Sequence, residues 1–193
     1  MSISSAEPTV LRRVLAAAGN ATAALLAFTS AAIACDTRDI ALGVAAFNSC
    51  GTPWEWSEPV DIGDLYACDA PECGPDTVLR VTRVEMNPDD KLLDTAALLA
   101  DWEERVIPAE MNGFSFSMIA SISTEQFGSE RGVYIPLEVT NPQGSRFNSL
   151  AFRVPLDGFY LVVNATGATE APRLRGFLET ALQNMTIAKE HRP

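Results

Sequence analysis

The sequence predicts an α+β domain: an antiparallel sheet of about six strands with helices packed on its faces, ending in a C-terminal amphipathic helix. Apolar and polar residues alternate through much of residues 113–165, which is the period of strands with one buried face. Apolar residues at helical spacing occur before this region, in residues 93–106, and after it, in residues 170–185. Strands therefore dominate the centre, and helices flank them.

The amino-terminal segment predicts an export signal. Arg12-Arg13 precedes residues 14–34, which carry no charge and end in the tripeptide Ala32-Ile33-Ala34. Small residues at the first and third positions of such a tripeptide are what signal peptidase recognises. We expect removal of residues 1–34, leaving residues 35–193 as a single periplasmic or secreted α+β domain. The alternative is a membrane anchor, because about 20 apolar residues can span a bilayer.

The four cysteines predict two disulfides, since an even number in an exported chain favours a bonded framework. Cys68 and Cys73 enclose four residues that include Pro71, and a turn there brings their Cα atoms within bridging distance in a Cys-containing hairpin. Cys35 and Cys50 are the remaining pair.

Two alternatives for the cysteines stay open. Ala32-Ile33-Ala34-Cys35 resembles a lipobox, and a lipid on Cys35 would anchor the protein to a membrane and leave Cys50 as a free thiol. Cys50, Cys68 and Cys73 could instead form a thiol- or metal-handling site, although their spacing lacks the C-x-x-C motif of redox proteins and the paired motifs of zinc ribbons.

Each element has a local signal. A short helix is expected over residues 40–47, and strands over residues 60–67 and 77–85 flank the cysteine turn. The helix of residues 93–106 places Leu98, Leu99, Trp102 and Val106 on one face, and Pro108 ends it.

The later elements follow in the same way. Strands are expected over residues 114–123, 133–140, 146–154 and 159–165, with turns at residues 141–144 and 157–158. Pro136 cannot donate to a ladder, so its strand should be bulged or at an edge. Thr169 is the expected N-cap of the final helix.

This order of elements carries a family resemblance. Four strands from Gly113 to Ala165, ending in Phe159-Tyr160-Leu161-Val162-Val163 and followed by the amphipathic residues 173–185, resemble the carboxy-terminal half of the Mog1/PsbP-like α/β/α sandwiches, which include DcrB-type envelope proteins. The resemblance covers about half of the chain and implies an accessory or binding protein without catalysis. The Cys68 to Cys73 turn departs from the family.

The sequence lacks the residues that several classes of reaction and binding require. His191 is the only histidine and lies two residues from the C-terminus, which disfavours histidine-assisted nucleophiles and histidine-ligated metals. Glycine-rich phosphate loops are absent. A net charge of −11 disfavours nucleic acid as a partner. We therefore expect no catalytic, cofactor-binding or metal-binding residues.

A ligand surface is nevertheless predicted near the cysteine turn, from Trp54, Trp56, Tyr66, Asp69 and Glu72. Aromatic platforms beside paired acids can grip sugars, so a carboxylate-based carbohydrate-active hydrolase is the alternative function. The favoured function is a non-catalytic accessory or binding protein of the bacterial cell envelope. Its partner would be an envelope protein or a small ligand, with membrane contact only if Cys35 is lipidated.

Overall fold

A computed structural model describes residues 36–86, 96–97, 100 and 113–191. Of these residues, 54% lie in strands and 17% in helices. The predicted α+β class, with about six strands and helices on the sheet faces, is therefore wrong. The described residues form an eight-stranded antiparallel sheet and a separate three-stranded sheet, with one α-helix of defined bounds.

The strands are β1 (Thr37–Ile40), β2 (Ala45–Asn48), β3 (Trp54–Val60), β4 (Gly63–Cys68), β5 (Val78–Glu85), β6 (Ser115–Met118), β7 (Ser123–Phe127), β8 (Glu130–Thr140), β9 (Arg146–Pro155), β10 (Phe159–Gly167) and β11 (Met185–Ile187). The α-helix is α1 (Ala171–Gln183), and short 3-10 helices occupy Pro71–Cys73 and Lys189–His191.

The helix predicted over residues 40–47 is wrong, and this is one source of the extra strands. Ala41, Leu42 and Gly43 have φ values of 50°, 62° and 83°. Left-handed backbone cannot continue a right-handed helix. The chain therefore reverses in a tight turn between β1 and β2.

The large sheet has the strand order β3-β4-β5-β10-β9-β8-β6, and β7 also pairs with β8. On β10, Val163 lies opposite Val81 of β5 and Phe152 of β9. These three side chains are fully buried, so they mark the sheet face that forms the main core. That core also holds Leu174 and Leu178 from the apolar stripe of α1.

Pro136 lies in β8, inside the sheet. β6 pairs with β8 as far as Leu137, and β7 begins its pairing at Tyr134. The pairing along this side of β8 is therefore interrupted at Pro136, between β6 and β7. The N–H that proline lacks is not needed for a hydrogen bond to either strand. The strand predicted over residues 114–123 is correspondingly divided into β6 and the start of β7.

The small sheet has the order β1-β2-β11, which pairs the last described strand with the first two. Thr186 lies opposite Ala46, and the Ala188 N–H donates to the Val44 carbonyl at 3.0 Å. Phe47 and Ile187 are buried in the same core as the large sheet.

The final helix is present, but its expected N-cap is not. Glu170 is the N-cap residue and makes no side-chain capping bond, while Pro172 occupies the first turn. The Thr169 hydroxyl donates instead to the Cys73 carbonyl.

The opposite face of the large sheet carries a second buried cluster, formed by Ile122, Val133, Ile135, Leu137 and Val139. The helix predicted over residues 93–106 lies outside the described residues, apart from the helical Ala96, Ala97 and Ala100.

Candidate functional site

The Cys68–Cys73 disulfide closes a turn between β4 and β5, which confirms this predicted pair. The two Cα atoms are 6.1 Å apart, and the 3-10 helix Pro71–Cys73 fills the turn. Cys73 is fully buried, whereas Pro71 and Glu72 are exposed. The turn therefore displays polar and apolar groups on a covalently closed loop.

This turn is tied to the loop that precedes α1. The Cys73 carbonyl accepts hydrogen bonds from the hydroxyls of Thr77, at 2.6 Å, and Thr169. The Thr169 carbonyl in turn accepts a bond of 2.8 Å from the Asn148 side chain. Segments about 100 residues apart in sequence are thereby held side by side.

A surface groove of about 380 Å³ lies between these two loops. It is lined by Pro71, Glu72, Gly74, Pro75, Ala168, Thr169, Glu170 and Arg173. Prolines and alanine supply apolar surface, and three charged side chains supply polar groups. Small-molecule sites usually start at roughly 300 Å³, so the groove is large enough for a small ligand or a short peptide loop.

The structure does not assemble the aromatic surface predicted from Trp54, Trp56 and Tyr66. Trp54 and Tyr66 are each 1% exposed. The Trp54 indole N–H donates to the Phe177 carbonyl at 3.2 Å, and the Tyr66 ring lies 4.9 Å from that of Phe47. Both are core residues, because α1 and the small sheet cover their strands.

Of the predicted acids, only Glu72 lines the groove. Asp69 is exposed beside the turn, where its backbone N–H donates to the Pro53 carbonyl. The remaining groove residues near α1 were missed, because no signal in the sequence indicates that the loop of residues 168–170 packs against the cysteine turn.

Trp56 is the one predicted aromatic residue at the surface, with 39% of it exposed. The Arg38 guanidinium carbon lies 4.4 Å from its ring centroid, within cation–π range. The Asp64 carboxylate accepts from the Trp56 indole at 3.4 Å and from the Ala41 N–H at 2.9 Å. The contact of Arg38 was missed because β1 was not predicted, whereas Asp64 is one of the acids expected beside these aromatic residues.

The Tyr66 hydroxyl is buried without a hydrogen-bond partner among the described residues. Burial raises the pKa of this hydroxyl well above its ordinary value of 10, and the nearby Asp64 carboxylate adds to the increase. The group therefore stays neutral while the protein is folded at ordinary pH.

A second charged cluster holds α1 against the sheet. Arg175 pairs with Glu179 at 2.8 Å and with Glu125 of β7 at 2.6 Å, and its guanidinium lies 4.7 Å from the ring centroid of Tyr134. The hydrogen bond to Glu179 raises the pKa of Arg175, and burial raises the pKa of Tyr134. Every charged member of the cluster has a partner, so the cluster is a structural clamp.

The part of the chain that is described offers few side chains that could bind a metal ion or react as a free thiol. No three His, Cys, Asp or Glu residues there are grouped so as to hold a metal ion. Cys50 is disulfide-bonded, and Cys35, its predicted partner and the predicted lipidation position, lies outside the described residues. His191 packs its ring 5.5 Å from that of Phe159. The described helices include none with the length and apolar character needed to cross a membrane.

The chain matches no protein-family model and no curated protein. Among solved structures it is similar to the cyanobacterial PsbP protein (CyanoP) of Synechocystis, with a TM-score of 0.53 and 13% identity over 75% of this chain and 87% of that one. The Mog1/PsbP-like resemblance predicted from the sequence is therefore confirmed. At this identity the likeness extends to the fold alone.

Other solved structures are more weakly similar, among them two bacterial proteins. A Bacteroides thetaiotaomicron protein has a TM-score of 0.47 and 12% identity, over 77% of this chain and 46% of that one. A Pseudomonas aeruginosa protein described as a putative regulator has a TM-score of 0.44 and 16% identity, over 70% and 97% of the two chains. Neither bears on function.

Proposed function

We propose that this chain is an exported accessory protein of the bacterial cell envelope that binds a partner and catalyses no reaction. The groove beside the Cys68–Cys73 turn carries the proposal. A disulfide and the Thr77 and Thr169 hydroxyls fix the shape of a surface whose lining is almost entirely exposed. A rigid, exposed groove loses little entropy when a ligand binds, which favours recognition.

The cysteines support a location outside the cytoplasm, since structural disulfides persist in oxidising compartments. Cys50 is bonded, and once Cys68 and Cys73 are paired, Cys35 is the one other cysteine of the sequence. This supports a Cys35–Cys50 bridge. The same sulfur would be consumed by lipidation, so a periplasmic or secreted protein without a lipid on Cys35 is favoured over a lipid-anchored one.

The alternative functions have less support. Glu72 and Glu170 in the groove are both exposed, whereas a glycosidase acid is usually shielded from water. The aromatic platform is reduced to Trp56, which is not among the groove residues. A metal site would need free thiolates, and Cys50, Cys68 and Cys73 are all bonded. A thiol-exchange role is disfavoured by the spacing of Cys68 and Cys73, which lacks the C-x-x-C motif.

Export is tested with a reporter enzyme that is active only outside the cytoplasm. A fusion of residues 1–34 to a leaderless alkaline phosphatase should give periplasmic activity, and replacement of Arg12-Arg13 by two glutamates should reduce it. Phosphatase that stays in the cytoplasm, both in this fusion and in a fusion to the whole chain, would contradict the proposal.

Binding at the groove is tested by in vivo photocrosslinking. A photoreactive phenylalanine at Glu72 should yield an adduct with an envelope protein or small ligand. The same residue at the exposed Gln143, in the turn before β9, should not. Identical adducts at both positions, or none at Glu72, would count against a binding role for the groove.

A further inference from the structure

Three large apolar side chains are exposed around Asp64: Leu42 at 71%, Trp56 at 39% and Ile62 at 45%. The Asp64 carboxylate binds the backbone N–H of Ala41, next to Leu42, and the indole N–H of Trp56. Ile62 lies two residues before Asp64, in the turn between β3 and β4. We call these three side chains the Asp64 patch.

The backbone at Leu42 is unfavourable for its side chain. Ala41 and Leu42 have φ values of 50° and 62°, and the Gly43 N–H closes the turn on the Ile40 carbonyl at 3.1 Å. Turns of this kind favour asparagine and glycine, since a Cβ atom crowds the left-handed region. Leu42 buries little of its side chain in return, so the stability of the fold does not explain a leucine here.

The rim of the patch is acidic. Asp39, Glu58 and Asp61 lie within three residues of Leu42, Trp56 and Ile62, respectively, and are all exposed. Two arginines also adjoin the patch, and both are ion-paired. Arg38 stacks on Trp56 and pairs with Asp36, and Arg83, whose backbone N–H donates to the Ile62 carbonyl, pairs with Glu85. Protein–protein interfaces typically have an apolar centre, often with a tryptophan, that is surrounded by a polar or charged rim.

We propose that the Asp64 patch docks a partner protein whose apolar pocket is rimmed by lysine or arginine residues. Charge complementarity selects this occupant. A second copy of the chain would place the same acids against one another, and the net charge of −11 opposes such pairing. Anionic lipid headgroups would be repelled in the same way. The surface is separate from the groove, so the inference goes beyond the proposed function.

The first experiment places a photoreactive phenylalanine at Leu42 of the full chain in its native host. Ile119 is the matched control, because it is also apolar and 41% exposed but lies between β6 and β7, at the far edge of the large sheet. We expect a protein adduct at position 42 and none at 119. Adducts at both positions, a lipid adduct, a homodimer or no adduct at position 42 would overturn the proposal.

The second experiment measures affinity with the crosslinked protein after purification. Trp56→Ala and Leu42→Asn should each raise Kd about tenfold or more, and Ile119→Asn should leave it within about twofold. Raising the salt from about 50 to 500 mM should weaken binding, because screening removes the attraction between the acidic rim and a basic one. Affinity that is insensitive to salt, or equally sensitive to all three substitutions, contradicts the proposal.

Leu42→Asn also separates a docking role from a structural one. Because asparagine tolerates the left-handed region, the variant should melt about 2–4 °C above the wild type while binding more weakly. A lower Tm together with unchanged Kd would show that Leu42 serves the fold, and would overturn the proposal. Substitutions in the groove leave this surface intact, so the two proposals can fail independently.

Discussion

At the scale of single residues, two tryptophans two positions apart have opposite environments. Trp54 is buried and donates its indole N–H to α1, whereas Trp56 is 39% exposed and contacts Arg38 and Asp64. Both side chains project from the same edge strand. Their different burial follows from what packs over each one, which spacing along the chain does not reveal.

Tyr66→Phe should reduce the decrease in the free energy of unfolding that occurs as the pH rises above 10. Burial raises the pKa of the folded-state hydroxyl above 10, so the unfolded chain loses this proton first. The stabilisation is complete below pH 10 and is lost as pH rises through the folded-state pKa, at up to about 1.4 kcal/mol per pH unit. Phenylalanine removes this dependence and one unpaired hydroxyl.

The measurement is urea unfolding of both proteins between about pH 8 and 11. The variant should match or exceed the wild type in free energy of unfolding at pH 8, and its advantage should grow above pH 10. Parallel pH profiles for the two proteins would contradict burial of an ionisable hydroxyl at this position.

Gly63→Ala and Gly176→Ala should have effects of opposite sign. A methyl group at Gly63 would collide with the backbone carbonyl of Val81 on the neighbouring strand, so we expect destabilisation by about 1–3 kcal/mol. Gly176 is an exposed residue within α1 with nothing near its added Cβ, so alanine should stabilise by about 0.5–1 kcal/mol. Thermal unfolding of both variants tests this; a Gly63→Ala variant as stable as the wild type or more so would contradict the close approach of β4 to β5.

At the scale of elements, the cysteine turn and α1 are each held by contacts distant in sequence. The turn depends on Thr169, and α1 depends on the contact of Arg175 with Glu125. The local sequence predicts where these elements lie, but their partners come from other parts of the chain.

Replacing both Cys68 and Cys73 by serine should destabilise the protein by about 2 kcal/mol, the loop-closure entropy expected for so short a loop. It should also reduce the Glu72 photocrosslink, because one wall of the groove is no longer closed. Thermal unfolding and crosslinking of the same variant test both effects. Unchanged crosslinking would show that the hydrogen bonds to the Cys73 carbonyl suffice to shape the groove.

At the scale of the whole molecule, β11 joins the end of the chain to the β1–β2 hairpin. Ile187 is 3% exposed and belongs to the main core, while its neighbour Thr186 is exposed on the same strand. The small sheet thus depends on a strand formed nearly 140 residues after its first two. Such closure makes the core continuous across both sheets.

Ile187→Ala should therefore destabilise the protein by about 2–4 kcal/mol, because it leaves a cavity beneath the small sheet. Thr186→Ala is the matched control on the same strand and should change stability by less than about 0.5 kcal/mol. Chemical denaturation measures both. Equal effects would argue that the strand is held by its backbone pairing rather than by core packing.

Sequence alone determined the elements whose signal is local. Neighbouring residues predicted four features: the alternation of apolar and polar residues in β8 to β10, the apolar stripe of α1, the Cys68–Cys73 turn and the Mog1/PsbP-like order of elements. A strand with one buried face or a helix with one apolar stripe needs no information from elsewhere in the chain.

Tertiary structure decided the fold class and the location of the candidate sites. β1, β2 and β11 are short and gain stability only by pairing with one another, so none is recognisable alone. Burial of Trp54 and Tyr66, the groove beside Thr169 and the exposed Asp64 patch all depend on residues brought together from distant positions. These features result from long-range packing, which periodicity in a single sequence does not encode.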